Sequence, residues 1–255
     1  MRINGSIIGS VVASSESSAT GIWGLQNVEL ANRSNSWPIF NVTSGLILNL
    51  DASNASSYPG SGTTWYDLSG NNKNGTLTNG PTFSSANGGS IVYDGADDTV
   101  TCNLVTSDAN NVTMEAWFKA TTLLGDRGLI LNGNGGSNGY GLQFGACGTA
   151  GTTLYVFFGG INCNVVSYGT LVTNTWYQAV YTRTTTPSIS NILYINGISR
   201  STNTSSNPNA APAGSTLIGH SAFNGNISIA RIYNRALSAT EVLQNFNAAR
   251  ARFGV

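Results

Sequence analysis

The sequence predicts an all-β fold in which two antiparallel sheets form a jelly-roll sandwich, with an extended N-terminal arm and a short C-terminal helix. Three observations support this prediction. Apolar and polar residues alternate with period two over many short segments, as in antiparallel strands that bury one face. Asn-Gly pairs recur between these segments and favour tight turns, because both residues tolerate positive φ. A chain of 255 residues with 31 glycines suits one large sandwich with long loops.

Residues 1–44 are predicted to form an arm that attaches the protein to a partner. The stretch 21–33 has the spacing of a short amphipathic helix, and Pro38 ends it. A segment this short cannot build its own core, so its apolar side chains should be buried against other surfaces. The predicted anchor residues are Trp23, Leu30, Trp37 and Ile39. The apolar run 7–13 is short and interrupted, so we expect no cleaved signal peptide.

Residues 45–255 are predicted to form the sandwich, and the alternation is clearest in two segments. Residues 99–104 and 112–119 each place apolar side chains on one face and polar or large side chains on the other. Each is therefore predicted as a half-buried strand with one face toward solvent. Further strands are expected at 127–132, 140–146, 153–158, 163–168, 176–183, 191–196, 214–219 and 225–233.

A single helix is predicted after these strands. Ser238 and Glu241 have the spacing of a capping box, and an apolar face with Val242 and Phe246 follows. Arg252 lies near the C-terminal end, where a cation suits the helix dipole. We expect about three turns packed on the edge of a sheet.

Composition excludes several classes of function. Charged residues make up 9% of the chain, and 11 basic residues balance 11 acidic ones. A nucleic-acid-binding protein needs a basic surface, and so does electrostatic docking on an anionic membrane. We therefore expect neither nucleic acid nor membrane insertion. Low charge in a strand-rich chain favours an oligomer or a multicopy assembly that covers sheet edges.

The three cysteines are too few for a disulfide framework. Cys102, Cys147 and Cys163 are interpreted as small apolar core residues. A bridge between Cys147 and Cys163 on neighbouring strands is the alternative.

Several segments resemble motifs of the laminin-G-like, concanavalin A-like jelly-roll family, in the order in which that family has them. They are Ser90–Asp98, Val112–Lys119, Trp176–Val180, Leu193–Gly197 and Gly225–Ser238. In Trp176–Val180 both histidines of the family motif are replaced. The stretch 45–83 and the pattern Gly-Ile-Trp-x-Leu around Trp23 resemble structural proteins of tailed-phage virions. The resemblance implies a jelly roll in a phage particle, although this fold hosts lectins, hydrolases, adhesins and spacers alike.

The usual catalytic arrangements are missing from the sequence. A glycosidase of this fold needs two carboxylates at strand spacing, and of the four glutamates only Glu115 lies on a predicted sandwich strand. His220 is the only histidine, and no Gly-x-Ser-x-Gly motif accompanies it. We interpret His220 as a surface or turn residue and expect no enzymatic activity.

Asp94, Asp97 and Asp98 are the candidate metal ligands. A turn rich in aspartate offers the oxygen ligands that Ca²⁺ prefers, and some relatives bind calcium near this turn. The alternative is that these side chains only satisfy the amides of the turn. A structural calcium ion is thus the one cofactor that we consider.

Exposed aromatic and amide side chains in two loops are the candidate carbohydrate ligands, because sugars stack on rings and bond to amides. The candidates are Tyr58, Asn132, Asn134, Asn138 and Tyr140. Trp65, Trp117 and Trp176 are instead predicted as core residues.

The sequence favours a non-enzymatic adhesion protein of a phage particle, as a capsid decoration or a tail or fibre component. Its predicted partners are other virion proteins, reached through residues 1–44, and a glycan on the host surface. A secreted or cell-surface lectin-like module is the alternative, and a glycoside hydrolase ranks last.

Overall fold

The computed structural model describes residues 40–136, 138–146, 149–158, 166–204 and 211–255. The predicted helix 21–33 and the anchor residues Trp23, Leu30, Trp37 and Ile39 lie outside this described part. Sixteen strands and one α-helix are found in it. The strands are β1 Leu46–Asp51, β2 Thr64–Trp65, β3 Gly75–Thr78, β4 Thr82–Ser84, β5 Ser90–Asp94, β6 Thr99–Asn103, β7 Val112–Ala120, β8 Arg127–Asn132, β9 Tyr140–Ala146, β10 Thr149–Phe158, β11 Ser167–Tyr168, β12 Trp176–Thr184, β13 Ser190–Ile195, β14 Ile198–Asn203, β15 Ser215–His220 and β16 Asn224–Tyr233, and the helix is α1 Ala239–Phe253.

The strands form two antiparallel sheets of eight strands each, which confirms the predicted sandwich. One sheet has the order β14-β13-β12-β7-β16-β5-β4, with β1 paired to β16, and we call it the helix-covered sheet. The other has the order β11-β10-β9-β8-β15-β6-β3-β2, and we call it the open sheet. The ten residues of β16 allow it to pair with β5 along its first part and with β1 along its second.

The core lies between the two sheets and is rich in aromatic side chains. Trp65 from the open sheet is fully buried there, and the rings of Phe118 and Phe144 meet edge-to-face across the sandwich. Each such ring stabilises the fold by about 1.5–3 kcal/mol when it leaves water. The predicted burial of Trp65 is confirmed.

The outer face of β7 corrects one prediction. The alternation predicted a solvent-facing side for this strand that includes Glu115, yet Glu115 is fully buried. Trp117 and Trp176 are buried as well, which confirms their prediction as core residues. The reason is that α1 lies on this face, and Trp117, Trp176 and Phe253 form an apolar cluster beneath it. Hence β7 is buried on both sides, as strands are when both faces of their sheet are covered.

The position of α1 corrects a second prediction. The helix begins with the predicted capping box, in which Ser238 accepts a hydrogen bond from the Glu241 amide. It then runs for 15 residues, longer than the three turns expected. It packs on β7 and β12 in the middle of the sheet and not on an edge, because Phe246 and Phe253 stack on Trp117.

A charged network lies buried between α1 and the sheet. Arg231 Nη1 is 3.2 Å from Glu115 Oε1, and both side chains are almost completely buried. Gln178 and the helix residue Asn245 donate to the same carboxylate at 2.9 and 2.8 Å. Burial lowers the pKa of Arg231, but Glu115, together with Tyr233 and Asp51, raises it above its ordinary value, so the guanidinium stays charged.

The Asn-Gly pairs do not all form turns. Asn196 and Gly197 have φ of 51° and 73° and join β13 to β14, as predicted. Asn74-Gly75 instead leads into β3, where Gly75 faces the core. A Cβ at Gly75 would lie 2.4 Å from the side chain of Val100, so the strand needs glycine for close packing and not for a turn.

Within the described residues, α1 falls short of the length and apolar character that a membrane span requires.

The buried network yields a prediction about stability. Replacing Glu115 by Ala should lower the free energy of unfolding by about 3–5 kcal/mol, because Arg231 would stay buried without its partner. Replacing Glu241 by Ala removes a carboxylate of similar type, paired with Arg235 near the surface. That control should lose only about 1 kcal/mol. Urea unfolding measures both, and equal losses would contradict the structural role of Glu115.

Candidate functional site

Two predicted sugar-binding aromatics are inside the protein, so their assignment as ligand residues was wrong. Tyr58 is 4% exposed and Tyr140 is fully buried. The Tyr58 hydroxyl donates to the Gly62 carbonyl at 2.8 Å, and the Tyr140 hydroxyl donates to the Asp108 carbonyl at 2.9 Å. Each ring packs in the core while its hydroxyl finds a backbone acceptor, which is how buried tyrosines are usually satisfied.

The predicted asparagine ligands are divided between the interior and a loop. Asn132 is fully buried and donates to the Thr106 carbonyl at 2.8 Å, so it is corrected to a structural residue. Asn134 is exposed, and its Oδ1 accepts the Gly136 amide. Asn138 is half-buried and donates to the Ala211 carbonyl at 3.1 Å. These two side chains support the loop 133–139, and the structure does not gather the five candidates into one site.

His220 was predicted as a surface or turn residue. It does begin a turn, in which the Phe223 amide donates to the His220 carbonyl at 3.2 Å, but its side chain is not at the surface. It ends β15 and is 7% exposed, because its ring occupies space that Gly128 leaves free. A Cβ at Gly128 would lie only 1.8 Å from His220 Nε2. Nδ1 is 2.9 Å from Ser221 Oγ, while Nε2 is buried without a partner among the described residues. Burial lowers the pKa of His220 to about 4, so the ring is neutral at physiological pH.

The three candidate metal ligands are brought together in the turn between β5 and β6. Ligand oxygens of Asp94, Asp97 and Asp98 all lie within 4.8 Å of one another. Asp98 Oδ2 accepts the Asp94 amide at 2.9 Å, and Asp94 Oδ1 accepts the Ala96 amide at 2.7 Å. Part of this arrangement therefore serves the turn itself, as the alternative interpretation proposed.

The remaining oxygen atoms of this turn fit a hard cation. Asp98 is 4% exposed, and its Oδ1 is buried without a hydrogen-bond donor among the described residues. Burial raises the pKa of Asp98, the hydrogen bond from the Asp94 amide lowers it, and the nearby Asp94 and Asp97 carboxylates raise it further, so the pKa lies above its ordinary value. A divalent cation held by the three carboxylates would offset both the burial and the repulsion.

Cys102 is confirmed as a free core residue. It is 1% exposed, and burial raises the pKa of its thiol to about 12, so it is unreactive. Cys147 and Cys163 lie outside the described residues, and so does the alternative bridge between them.

A polar groove on the outer face of the open sheet was not identified from the sequence. It has a volume of about 400 Å³, and we call it the polar groove. It is lined by Asn74, Thr76, Thr78, Thr101, Cys102, Asn103 and Ser215. The strand register assembles it: Thr76 lies opposite Thr101, and Asn103 lies opposite Ser215. These residues are distant in sequence, so only the strand order brings them together.

An exposed aromatic residue lies on the segment that pairs with the groove-lining strand β3. Tyr66 is 46% exposed. It follows the buried Trp65, and alternate residues of an extended segment point to opposite faces. The amide of Asp67 donates to Asn74 Oδ1 at 2.9 Å, which joins the Tyr66 segment to the groove lining. The sequence does contain a signal for Tyr66: it directly follows the core residue Trp65, so its side chain should point to the opposite face of the strand.

Another part of the outer face of the open sheet, around Leu131 and Phe157, is covered by Gly135. Leu131 and Phe157 point outward there but are only 7% and 6% exposed. Gly135 lies over them, since a Cβ on it would be 3.5 Å from Leu131 and 3.6 Å from Phe157. The Gly133 amide donates to the Ser215 carbonyl at 2.9 Å, so this cover ends where the polar groove begins.

The sequence profile of one family, the laminin G-type family of the concanavalin A-like lectin/glucanases superfamily, matches residues 94–243. The match covers more than half of the chain. The chain belongs to this family. No curated protein matches it significantly in sequence.

Solved structures share the fold of this family member at low sequence identity. The binding domain of botulinum neurotoxin serotype D superposes with a TM-score of 0.64 at 14% identity, over 80% of this chain and 52% of that one. Trypanosoma rangeli sialidase superposes with a TM-score of 0.59 at 14% identity, over 82% and 33%. Our chain thus spans about half of the neurotoxin fragment and a third of the sialidase.

A third solved structure matches along nearly its whole length. It is domain 4 of AbnA, an extracellular GH43 arabinanase of Geobacillus stearothermophilus, in complex with arabinotriose. The TM-score is 0.60 at 19% identity, over 81% of this chain and 98% of that domain. At these sequence identities the similar structures establish the fold only, and the function must be argued from the residues of the site.

The buried His220 yields a prediction of pH dependence. In the unfolded chain its pKa is about 6.5, so the unfolded state binds more protons than the folded state below that pH. Stability should therefore fall as the pH drops from about 6.5 toward 4, by about 2 kcal/mol between about pH 7.5 and pH 5. Urea unfolding at the two pH values measures this loss.

The variant His220→Asn removes the titrating ring and is the control. Its stability should change much less between the two pH values, whatever its stability at neutral pH. If the variant loses as much as the unmodified protein, another group is responsible.

Proposed function

We propose that this chain is an adhesion module that binds carbohydrate without cleaving it, and that it is carried in many copies on a tailed-phage particle. The observation that carries the first part is the polar groove, an exposed sheet face of hydroxyl and amide groups with Tyr66 at its edge. Such surfaces suit sugars, which offer many hydroxyl groups and one apolar ring face. The AbnA domain, which is in complex with arabinotriose, supports the same ligand class.

The non-catalytic part of the proposal rests on the carboxylates. Glu115, the one glutamate on a strand of the described residues, is fully buried beneath α1 and paired with Arg231. It lies on the helix-covered sheet, whereas the polar groove lies on the open sheet. A glycosidase requires two carboxyl groups that flank the scissile bond in one cleft. The groove lining contains none.

The particle is proposed from the sequence. The leader pattern around Trp23 and the stretch 45–83 resemble virion proteins, and residues 1–44 would bind neighbouring capsid or tail proteins. Weak binding at each copy would then add up, because copies held on one particle meet the same surface together. A secreted or cell-surface lectin-like module is the alternative.

The full-length chain should bind members of an oligosaccharide panel, with affinity in about the micromolar to millimolar range for a single site. Reducing-sugar assays run on the same panel should detect no release. Sugar release that depends on the chain would overturn the proposal in favour of a hydrolase, and binding to no member of the panel would overturn the carbohydrate-binding part.

A second experiment tests whether the chain is part of a phage particle. An antibody against the chain should label purified phage in electron micrographs. Glycan binding by a chain that never labels particles would support the secreted or cell-surface alternative.

We also propose that the acidic turn holds a structural Ca²⁺. Calcium in about 100-fold excess over its Kd should stabilise the fold by about 2.7 kcal/mol, and each kcal/mol raises Tm by about 2–4 °C in a domain of this size. Asp98→Asn keeps an acceptor for the Asp94 amide but removes the charge, so the calcium-dependent rise should disappear. Asp108→Asn, in a turn elsewhere, is the matched control. A rise that persists in Asp98→Asn would refute this site.

A further inference from the structure

We infer that the polar groove is the carbohydrate site, and that its ligand is a neutral oligosaccharide with one ring stacked on Tyr66. This inference rests on the proposed function and deepens it, since it names the face that binds and the class of sugar. Four observations carry it: the accessible face, the free hydrogen-bonding groups, the aromatic ring and the absence of free charge in the lining.

The first observation is which sheet face is accessible. On the helix-covered sheet, α1 seals the centre with Trp117, Phe246 and Phe253. On the open sheet, Gly135 covers the strands around Leu131. The part formed by β2, β3 and β6 has no such cover among the described residues, and Thr76 on it is exposed. A ligand that lies across strands can therefore reach this part directly.

The second observation is the supply of hydrogen-bonding groups. The side chains of Thr76, Thr101 and Asn103 make no hydrogen bond to any other described residue. Threonine hydroxyls and asparagine amides both donate and accept. Sugar hydroxyl groups do the same, so this lining matches a sugar in either direction of donation. A site that contained only donors or only acceptors would favour a different ligand.

The third observation is the ring at the edge of the groove. Tyr66 lies in the segment that bonds to Asn74, and it is 46% exposed, so its ring can take a flat partner. Pyranose and furanose rings carry one face of C–H groups, which pack on an aromatic ring. Tyr66 would thus hold one sugar ring while the threonine row bonds to the next.

The fourth observation is the charge near the site. Asp67 and Lys73 are the neighbouring ionic groups, and they oppose each other in sign. The Asp67 carboxylate accepts the amides of Ser69 and Lys73, and Lys73 Nζ donates to the Leu104 carbonyl at 2.8 Å. Both are therefore committed to the loop, and the lining itself contains no charged side chain. A sialylated or uronic-acid ligand would lose water from its carboxylate without gaining a cation, which favours a neutral sugar.

The experiment titrates the full-length chain with arabinotriose, maltotriose and N-acetylchitotriose as neutral probes, and with sialyllactose and trigalacturonate as anionic probes. We expect binding of at least one neutral probe and of neither anionic probe. Tyr66→Ala should weaken that binding by about tenfold, which corresponds to the loss of about 1.4 kcal/mol. Thr76→Trp should abolish it, because the indole would fill the groove.

Thr202→Trp is the matched control, since Thr202 is an exposed strand threonine on the other sheet. Large aromatic residues suit exposed strand positions, so both tryptophan variants should fold, which urea unfolding checks. Binding of a neutral probe that survives in Tyr66→Ala and in Thr76→Trp would overturn the groove assignment while leaving the proposed function intact. Preference for an anionic probe would overturn the sugar class. Failure of every probe, together with a silent glycan panel, would overturn both proposals.

Discussion

The buried ion pair between Glu115 and Arg231 is the interaction on which the architecture depends. A charged pair is tolerated beneath a helix only when its remaining hydrogen-bonding capacity is satisfied, and here Gln178 and Asn245 satisfy the carboxylate. Because Asn245 belongs to α1, the pair also fixes where the helix lies on the sheet. With the helix in place the centre of one sheet is covered, and the proposed binding site accordingly lies on the other sheet.

Two further ion pairs also involve residues of α1. Arg252 in the last turn of α1 reaches Asp51 at 2.9 Å, and its guanidinium also donates to the Asn87 and Gly89 carbonyls. Arg235 binds Glu241 at 2.6 Å and so joins the end of β16 to the helix cap. In the described part of the chain, these ion pairs thus help to hold α1 on the sheet. The lining of the polar groove contains no charged side chain, which is the property that the proposed ligand requires.

Period-two alternation made most of the fold predictable. The same alternation also explains why the burial of Tyr140 and His220 was missed: each lies an even number of residues from a buried side chain on its strand, which we call the same parity. Tyr140 was assigned to a loop, although it shares parity with Leu142 and Phe144 on the same strand and is buried with them. His220 likewise shares parity with the buried Ile218. These signals were present, but glycine and asparagine beside them suggested exposure. The cover over β7 was not predictable, because alternation shows which side chains share a face and not whether a helix will lie upon it.

The polar groove illustrates a harder limit. Its lining comes from β3, β6 and β15, and the pairing of Thr101 with Leu217 joins residues more than a hundred positions apart. No local pattern marks such a surface, since a threonine that faces a ligand and one that faces bulk water have the same strand propensity. Yet the same residues keep this face of the open sheet hydrated, because hydroxyl and amide groups bind water without adding charge. A face suited to water in this way is also suited to a neutral sugar, which replaces water's hydrogen bonds one for one. Under the proposed function, affinity at one such face would be modest, and firm attachment would require many copies that bind together.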